Sequence, residues 1–195
     1  MSPAPKAGRG PQMSMLQPER TCLIVVDLQQ KLLPAMDGRD RVVGNGLLLL
    51  RLAAVMELPV VLTTQYRKGL GDLVPEVRAA AGGAEPLDKV SFGCFGNEAF
   101  LSRLASLPGR DQLLVAGIES HICVAQTVLG ALERGYQVQV AGDAVGSRTE
   151  ANRQVGLARM ERAGAVLSSA EMAVYELLSR SDGRAFKEML PFLKA

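Results

Sequence analysis

Residues 112–127 have the sequence Q-L-L-V-A-G-I-E-S-H-I-C-V-A-Q-T, an apolar run that leads into a helical pattern. The run at 112–116 is typical of a buried strand, and residues 124–134 predict an amphipathic helix. Cys123 lies between the two, at the kind of position where open α/β sheets carry their functional sites. Unpaired N–H groups and the helix dipole favour a nucleophilic thiolate there. A buried structural cysteine is the alternative.

The rest of the chain repeats this alternation of short apolar runs and helical patterns. Strands are predicted at 22–26, 59–64, 87–90, 112–116, 137–141 and 165–167. Helices are predicted at 41–57, 73–81, 97–107, 124–134, 149–163, 172–178 and 185–193, with a polar loop at 65–71 and a further loop at 91–96. The pattern predicts an α/β fold, a three-layer, doubly wound, mostly parallel six-stranded sheet of order 3-2-1-4-5-6 with helices on both faces.

Size and composition limit the possible classes of protein. The chain has 195 residues, 48% hydrophobic and 22% charged, with a net charge of +2. Residues 1–20, rich in Pro, Gly and Ser, predict a flexible N-terminal arm, and residues 21–195 a single domain. No basic patch dominates and no apolar run has the length of a membrane span, so we expect neither nucleic-acid nor membrane binding.

The cysteines and the histidine bear on compartment and metal chemistry. Three cysteines without C-x-x-C spacing are typical of free thiols in a reducing compartment, so we expect a cytoplasmic protein. His121 is the single histidine of the chain, which excludes a His-rich zinc site.

Three polar side chains fall at the carboxyl ends of predicted strands. Asp27 ends the first strand, Lys89 lies in the third and Cys123 follows the fourth. The first and fourth strands are neighbours in a doubly wound sheet, so we expect these groups to meet at one edge. A carboxylate near a thiol can accept its proton, and an ammonium group stabilises both anions. Asp27 as a turn cap and Lys89 as a solvated surface lysine are the alternatives.

With these residues, the chain resembles the isochorismatase-like cysteine hydrolases over roughly residues 21–170. The three signatures are L-I-V-V-D-L-Q-Q with Asp27, K-V-S-F-G-C-F with Lys89, and V-A-G-I-E-S-H-I-C-V-A-Q-T with Cys123. The loop Q-Y-R-K-G-L-G at 65–71 is most similar to that of the small isochorismatase-domain proteins, a group whose substrates are not settled.

The resemblance implies a mechanism and an assembly. Asp27 would take the proton of Cys123, which would attack an amide or related carbonyl carbon and give an acyl-enzyme that water releases. It also implies a cis peptide bond between Ile118 and Glu119, with the N–H groups of Glu119 and Cys123 directed at the oxyanion. A homo-oligomer, dimer or higher, is expected on the same analogy.

Departures from the family concern metal binding and the reaction. Nicotinamidases carry an Asp-x-His pair and a further histidine for a metal, whereas residues 63–69 read T-T-Q-Y-R-K-G. We therefore expect no metal and no cofactor. Members that cleave the vinyl ether of isochorismate do not need the cysteine, so Cys123 favours acyl chemistry on a small-molecule substrate.

Further residues are expected at the same edge of the sheet. The predicted substrate pocket consists of Leu32, Gln65, Tyr66, Phe92 and His121. For the aromatic residues, core packing is the alternative, and for His121 an interface or a hydrogen bond near the helix start. Arg148 has two possible roles, binding of a substrate carboxylate or a salt bridge.

Other classes of protein remain to be weighed against a hydrolase. One is a catalytically idle fold used for binding or for oligomeric assembly, which predicts an ordinary thiol at Cys123. A nucleotide-binding Rossmann protein is disfavoured, because the first strand-to-helix turn lacks G-x-G-x-x-G.

Overall fold

The structure, a computed structural model, describes residues 15–193. The strands are Thr21–Val26 (β1), Val60–Gln65 (β2), Leu87–Lys89 (β3), Gln112–Ile118 (β4), Gln137–Gly146 (β5) and Val166–Ser168 (β6). The α-helices are Arg39–Val55 (α1), Arg67–Leu70 (α2), Pro75–Ala80 (α3), Glu98–Ala105 (α4), Ala125–Glu133 (α5), Glu150–Arg162 (α6), Ala170–Leu178 (α7) and Arg184–Leu193 (α8). Leu33–Ala35 and Cys94–Gly96 form 3₁₀ turns, and Ser120–Val124 forms a π-helical turn.

The strands form one sheet in the predicted order, β3-β2-β1-β4-β5-β6, and all its strand pairs are parallel. The predicted doubly wound fold is therefore confirmed. Its central strand β1 is buried along its whole length, because a parallel sheet with helices on both faces leaves no face for water.

Alternate side chains of β1 divide between two apolar cores. Leu23 and Val25 pack with α1, α3, α7 and α8. Cys22, Ile24 and Val26 pack on the other face with α4, α5 and α6. The two-residue period of the strand thus builds the three layers.

Strand β5 is longer than predicted. It continues five residues beyond position 141, to Gly146. Two arginine side chains donate to carbonyl oxygens of this segment. Arg41 donates to the carbonyl oxygen of Asp143 at 2.6 Å, and Arg153 donates to that of Val145 at 3.1 Å. The sequence G-D-A-V-G at 142–146 has the composition of a turn, but Val145 and Gly146 pair with Gly117 and Ile118 of β4, which makes the segment part of the sheet.

The segment predicted as a polar loop at 65–71 contains the short helix α2, so this prediction was incomplete. Gln29 holds both ends of the segment, since its side-chain amide donates to the carbonyl oxygens of Gln65 and Gly71 at 3.1 and 2.7 Å. With its ends fixed, the chain between them closes into one helical turn, in which Tyr66 O accepts the N–H groups of Gly69 and Leu70.

The first described residues lie against the domain. Leu16 is buried, and its N–H donates to Glu176 Oε2 at 2.9 Å. The N–H of Gln17 donates to Gln112 Oε1 at 2.8 Å. The rest of the predicted flexible arm, residues 1–14, lies outside the described residues. Between residues 15 and 193, none of the helices combines the length and the apolar character required to span a bilayer.

Candidate active site

Asp27, Lys89 and Cys123 lie together at the carboxyl edge of the sheet. Lys89 Nζ reaches across β2 and lies 2.7 Å from Asp27 Oδ2, and both side chains are only 1% exposed. Cys123 is 7% exposed, and the charges of both Asp27 and Lys89 act on its thiol. The three predicted groups therefore form one buried cluster.

The Asp27 carboxylate is fixed at both oxygens. Thr63, on the neighbouring strand, donates its hydroxyl hydrogen to Oδ1 at 2.7 Å, while Lys89 binds Oδ2. The backbone of Asp27 has a φ of +53°, a left-handed conformation that Asp tolerates better than most residues. Asp27 thus ends β1 and is held in one orientation.

Lys89 has a second partner in Gln65. Its Nζ donates to Gln65 Oε1 at 2.7 Å, and Gln65 Nε2 donates in turn to the carbonyl oxygen of Val90 at 3.0 Å. Gln29 also accepts the backbone N–H of Gln65 at 2.7 Å. A buried ammonium group needs such partners, because burial without them is costly.

The turn that carries Cys123 depends on the close approach of β1 and β4. Gly117 has a φ of +120°, and a Cβ atom there would lie 2.1 Å from Val26 O. No residue with a side chain fits this contact, so Gly117 allows β4 to pass directly beside the end of β1. The peptide bond between Ile118 and Glu119, directly after this glycine residue's own bond to Ile118, is cis, as the family resemblance implies.

A π-helical turn, Ser120–Val124, carries Cys123 and leads directly into α5, which begins at Ala125, one residue after the predicted start. Ser120 Oγ donates to Gly146 O at 2.9 Å and anchors the turn to β5. Helix α6 packs tightly against it, since a Cβ atom at Gly156 would lie 2.8 Å from His121 N. The nucleophile turn is therefore held from two sides.

Thr127 connects this turn to the loop that follows Lys89. Its hydroxyl donates to Cys123 O at 2.7 Å and accepts the N–H of Cys94 at 3.0 Å. Thr127 is fully buried. One hydroxyl group therefore joins the two segments that carry the lysine and the thiol.

Burial above all, and then the negative charge of Asp27, raise the pKa of the Cys123 thiol from 9.0 to about 12, against the opposing charge of Lys89. The expectation that a helix N-terminus would favour a resting thiolate was therefore wrong, because burial and the nearby carboxylate outweigh it. The neutral thiol is therefore the resting form at neutral pH, and Asp27 is the carboxylate that acts on it.

The predicted pocket residues lie in different surroundings. Gln65 is hydrogen-bonded to the side chain of Lys89, and the backbone N–H of Tyr66 donates to the carbonyl oxygen of Lys89 at 2.9 Å. Leu32 packs on the apolar core below the edge. Tyr66 and Phe92 are exposed at 52% and 55%, so the alternative of core packing is excluded for both. His121 Nδ1 lies 3.0 Å from Ser147 Oγ, which agrees with its hydrogen-bonding alternative.

Arg148 forms a salt bridge with Glu119 at the start of the nucleophile turn. Its Nε donates to Glu119 Oε2 at 3.1 Å and its backbone N–H to the same oxygen at 3.2 Å. In residues 15–193, no group of three or more His, Cys, Asp or Glu side chains is placed to hold a metal ion.

Thr63, Gln29 and Thr127 belong to the site but escaped prediction. Each acts through a partner more than 30 residues away or through the main chain. A threonine at the end of a β-branched strand and a glutamine two residues after the aspartate were the available signals. Neither signal is specific, because both residue types are common in such positions.

The sequence profile of the isochorismatase domain matches residues 21–172. This chain belongs to the isochorismatase-like family. Curated members are similar over nearly the whole chain. Isochorismatase domain-containing protein 2A of Mus musculus is 36% identical over 185 residues, which are 93% of this chain and 86% of that protein. The Homo sapiens isochorismatase domain-containing protein 2 is 35% identical over 188 residues, 96% of this chain and 90% of that one.

Solved structures of isochorismatase-fold proteins agree. A Caenorhabditis elegans protein described as MAR1 ribonuclease superposes with a TM-score of 0.86 at 31% identity, over 93% of each chain. YcaC from Pseudomonas aeruginosa, described with hexane-2,5-diol and covalent acrylamide, gives 0.86 at 30% identity, over 93% of this chain and 92% of that one. Escherichia coli YcaC, described as an octameric hydrolase of unknown specificity, gives 0.85 at 29% identity over 95% and 96%. The isochorismatase-like assignment predicted from three signatures is thus confirmed, and it suggests a hydrolase.

Proposed function

We propose that the protein is a metal-independent cysteine hydrolase that cleaves a small amide, ureido or related carbonyl compound through an acyl-enzyme on Cys123. The observation that carries this proposal is the buried Asp27–Lys89 ion pair, at 2.7 Å, whose charges act on the neutral thiol of Cys123. Buried ion pairs are costly to build. An ion pair beside a nucleophile has a chemical role, because its carboxylate can accept the proton of the nucleophile.

The first half of the reaction forms the acyl-enzyme. Asp27 takes the thiol proton as Cys123 Sγ bonds to the carbonyl carbon, and the carbonyl electrons move to its oxygen. The N–H groups of Glu119 and Cys123 are the proposed donors to this oxyanion. When the oxyanion collapses, the C–N bond breaks and the leaving nitrogen takes the proton from Asp27.

The second half releases the acid. Asp27 removes a proton from water as the water oxygen attacks the thioester carbon. Collapse of the new tetrahedral species breaks the C–S bond, and Cys123 recovers the proton from Asp27. Lys89 keeps the carboxylate oriented and balances the charges that develop around it. Leu32, Gln65, Tyr66, Phe92 and His121 are the proposed lining of the substrate pocket.

Two structural neighbours support this chemistry. Escherichia coli YcaC is described as a hydrolase, and Pseudomonas aeruginosa YcaC carries covalent acrylamide, which requires a nucleophilic side chain in that protein. The octameric state described for the former favours a homo-oligomer here, which light scattering coupled to gel filtration would measure. Free, buried thiols agree with the proposed cytoplasmic location.

The decisive experiment is a hydrolysis screen of small amides and ureides, with a single-stranded RNA included because one neighbour is described as a ribonuclease. Cys123→Ala should abolish turnover of every amide that the wild type cleaves, and mass spectrometry should find an acyl group on Cys123. Cys22→Ala is the matched control, because Cys22 lies at the opposite end of the sheet, in the core. Full activity of Cys123→Ala would refute the proposal.

A second measurement tests the alternative of an idle scaffold of the same fold, for which an ordinary thiol is expected. The rate of Cys123 alkylation is followed against pH. A raised pKa is expected, because burial and Asp27 hold the proton on the thiol. An ordinary value near ~8.5 would favour the scaffold instead.

A further inference from the structure

Two ion pairs flank the nucleophile turn at the reactive edge of the sheet. Lys89 and Asp27 form one pair, with 2.7 Å between Nζ and Oδ2. Arg148 and Glu119 form the other, in which Glu119 Oε2 accepts both Nε and the backbone N–H of Arg148 at 3.1 and 3.2 Å. Each pair has zero formal charge.

The strand register places these pairs on either side of the nucleophile turn. Val26 is paired with Gly117, so Asp27 emerges from β1 beside the peptide that leads to Glu119. Ile118 is paired with Gly146, and Arg148 lies two residues beyond that glycine. The carbonyl oxygen of Glu119 accepts the N–H of Ile122 at 3.0 Å, so the second pair is attached to the turn itself.

The nucleophile adds no charge of its own in the resting state. Burial and the Asp27 carboxylate raise the pKa of the Cys123 thiol to about 12, so the thiol is protonated at neutral pH. The ionisable groups that flank the nucleophile turn are therefore two ion pairs of zero formal charge and a neutral thiol.

This arrangement discriminates against charged ligands. A carboxylate that enters the site loses its hydration, and Arg148 offers little compensation because Glu119 already neutralises it. A substrate ammonium group also loses its hydration on entry, and Glu119 offers it little compensation because Arg148 already neutralises Glu119. An uncharged amide loses less hydration on entry and needs no counter-charge.

We propose that the site selects an uncharged amide or ureide, and that the Glu119–Arg148 pair is the specificity-determining element. Calling this ligand a substrate rests on the proposed function. The selection by charge is a separate property of the edge, and an unreactive ligand would experience it equally.

The test compares two alkylating reagents that differ only in charge, iodoacetamide and iodoacetate. Modification of Cys123 by each is followed by mass spectrometry of the intact oligomer at pH 9, with N-acetylcysteine as the reference for intrinsic reactivity. The ratio of the two rates cancels the fraction of thiolate, so a changed thiol pKa in a variant does not affect it.

The wild type should favour iodoacetamide at least tenfold more than N-acetylcysteine does. Glu119→Gln keeps an acceptor for Arg148 but frees its positive charge, so this preference should fall by about tenfold. Arg148→Gln leaves Glu119 unneutralised, so the preference should rise. The exposed pair of Arg180 and Asp182, with 2.6 Å between Nη2 and Oδ2, supplies charge-matched controls. Asp182→Asn and Arg180→Gln should leave the ratio unchanged.

Each possible result bears on the inference, on the proposed function or on both. A wild-type ratio equal to that of N-acetylcysteine, or ratios that Glu119→Gln and Arg148→Gln leave unchanged, would overturn the inference. Selective alkylation in a protein that hydrolyses no amide would overturn the proposed function and leave the inference standing. If neither reagent modified Cys123, both would fall, because both require small molecules to reach this thiol.

Discussion

Thr63 donates its hydroxyl hydrogen to Asp27 Oδ1 across 2.7 Å, in a part of the sheet where both side chains are buried. The hydroxyl takes one of the two carboxylate oxygens, and Lys89 takes the other. The carboxylate is thus held in one plane before any ligand arrives. This hydrogen bond orients the proposed base without itself touching the substrate.

Thr63→Val keeps the shape of the side chain and removes this hydrogen bond. A buried carboxylate that loses a neutral donor is expected to cost about 1–3 kcal/mol of unfolding free energy, measured by urea denaturation. Once a substrate is found, kcat should fall more than KM rises, because the base is misoriented rather than the pocket altered. Thr63→Ser retains the hydroxyl and should recover most of the unfolding free energy and most of kcat. Equal stability of the valine and serine variants would contradict the assigned role.

The ion pair of Asp27 and Lys89 predicts a marked non-additivity. Lys89→Met leaves a buried carboxylate without its counter-ion and should lower the free energy of unfolding by about 3–5 kcal/mol. The double variant Asp27→Asn with Lys89→Met removes both charges and should be more stable than Lys89→Met alone. Urea denaturation of the wild type, both single variants and the double variant gives the coupling energy. Additive losses would show that the pair is not buried as described.

The fold was predictable from the sequence because its signals are local. Apolar runs bounded by polar residues mark the six strands, and their alternation with helices determines a doubly wound sheet. Asp27, Lys89 and Cys123 were predictable for the same reason, since each follows or ends such a run. Strand order then brings them to one edge.

What escaped prediction depends on contacts between distant segments. The last five residues of β5 have the composition of a turn, but Val145 and Gly146 pair with β4, a strand about 30 residues earlier in the chain. The direction of the pKa shift of Cys123 was likewise mispredicted, because neither its burial nor the approach of Asp27 is visible in a window of sequence around it.

The buried thiols predict a loss of stability in alkaline solution. Burial raises the pKa of Cys22 from 9.0 to about 12 and that of Cys94 to about 11, as it does for Cys123. Above pH 9 the unfolded chain releases these protons while the native protein retains them. The free energy of unfolding should therefore be unaffected by these thiols below pH 9 and fall as pH rises through 9 towards 12, by up to about 1.4 kcal/mol per unit for each thiol.

Cys22→Ala isolates one of these contributions, because Cys22 lies outside the proposed site. Urea denaturation between pH 7 and 11, under reducing conditions, should show a shallower alkaline decline for this variant than for the wild type. The comparison uses the slopes, so the small cavity that alanine leaves affects the result little. Parallel declines would refute the burial of this thiol as the cause.

The hydroxyl of Thr127 joins the nucleophile turn to the loop at Cys94, and its removal should have a local effect that can be measured. Thr127→Val leaves Cys123 O and Cys94 N without this partner, so the loop at Cys94 should open more often while the rest of the sheet stays closed. Mass spectrometry after brief iodoacetamide treatment should therefore find Cys94 modified several-fold faster than in the wild type. Cys22, equally buried but on another segment, is the internal control and should stay protected. Thr127→Ser keeps the hydroxyl and should behave like the wild type. Equal acceleration at Cys22 and Cys94 would indicate global unfolding and contradict a local link.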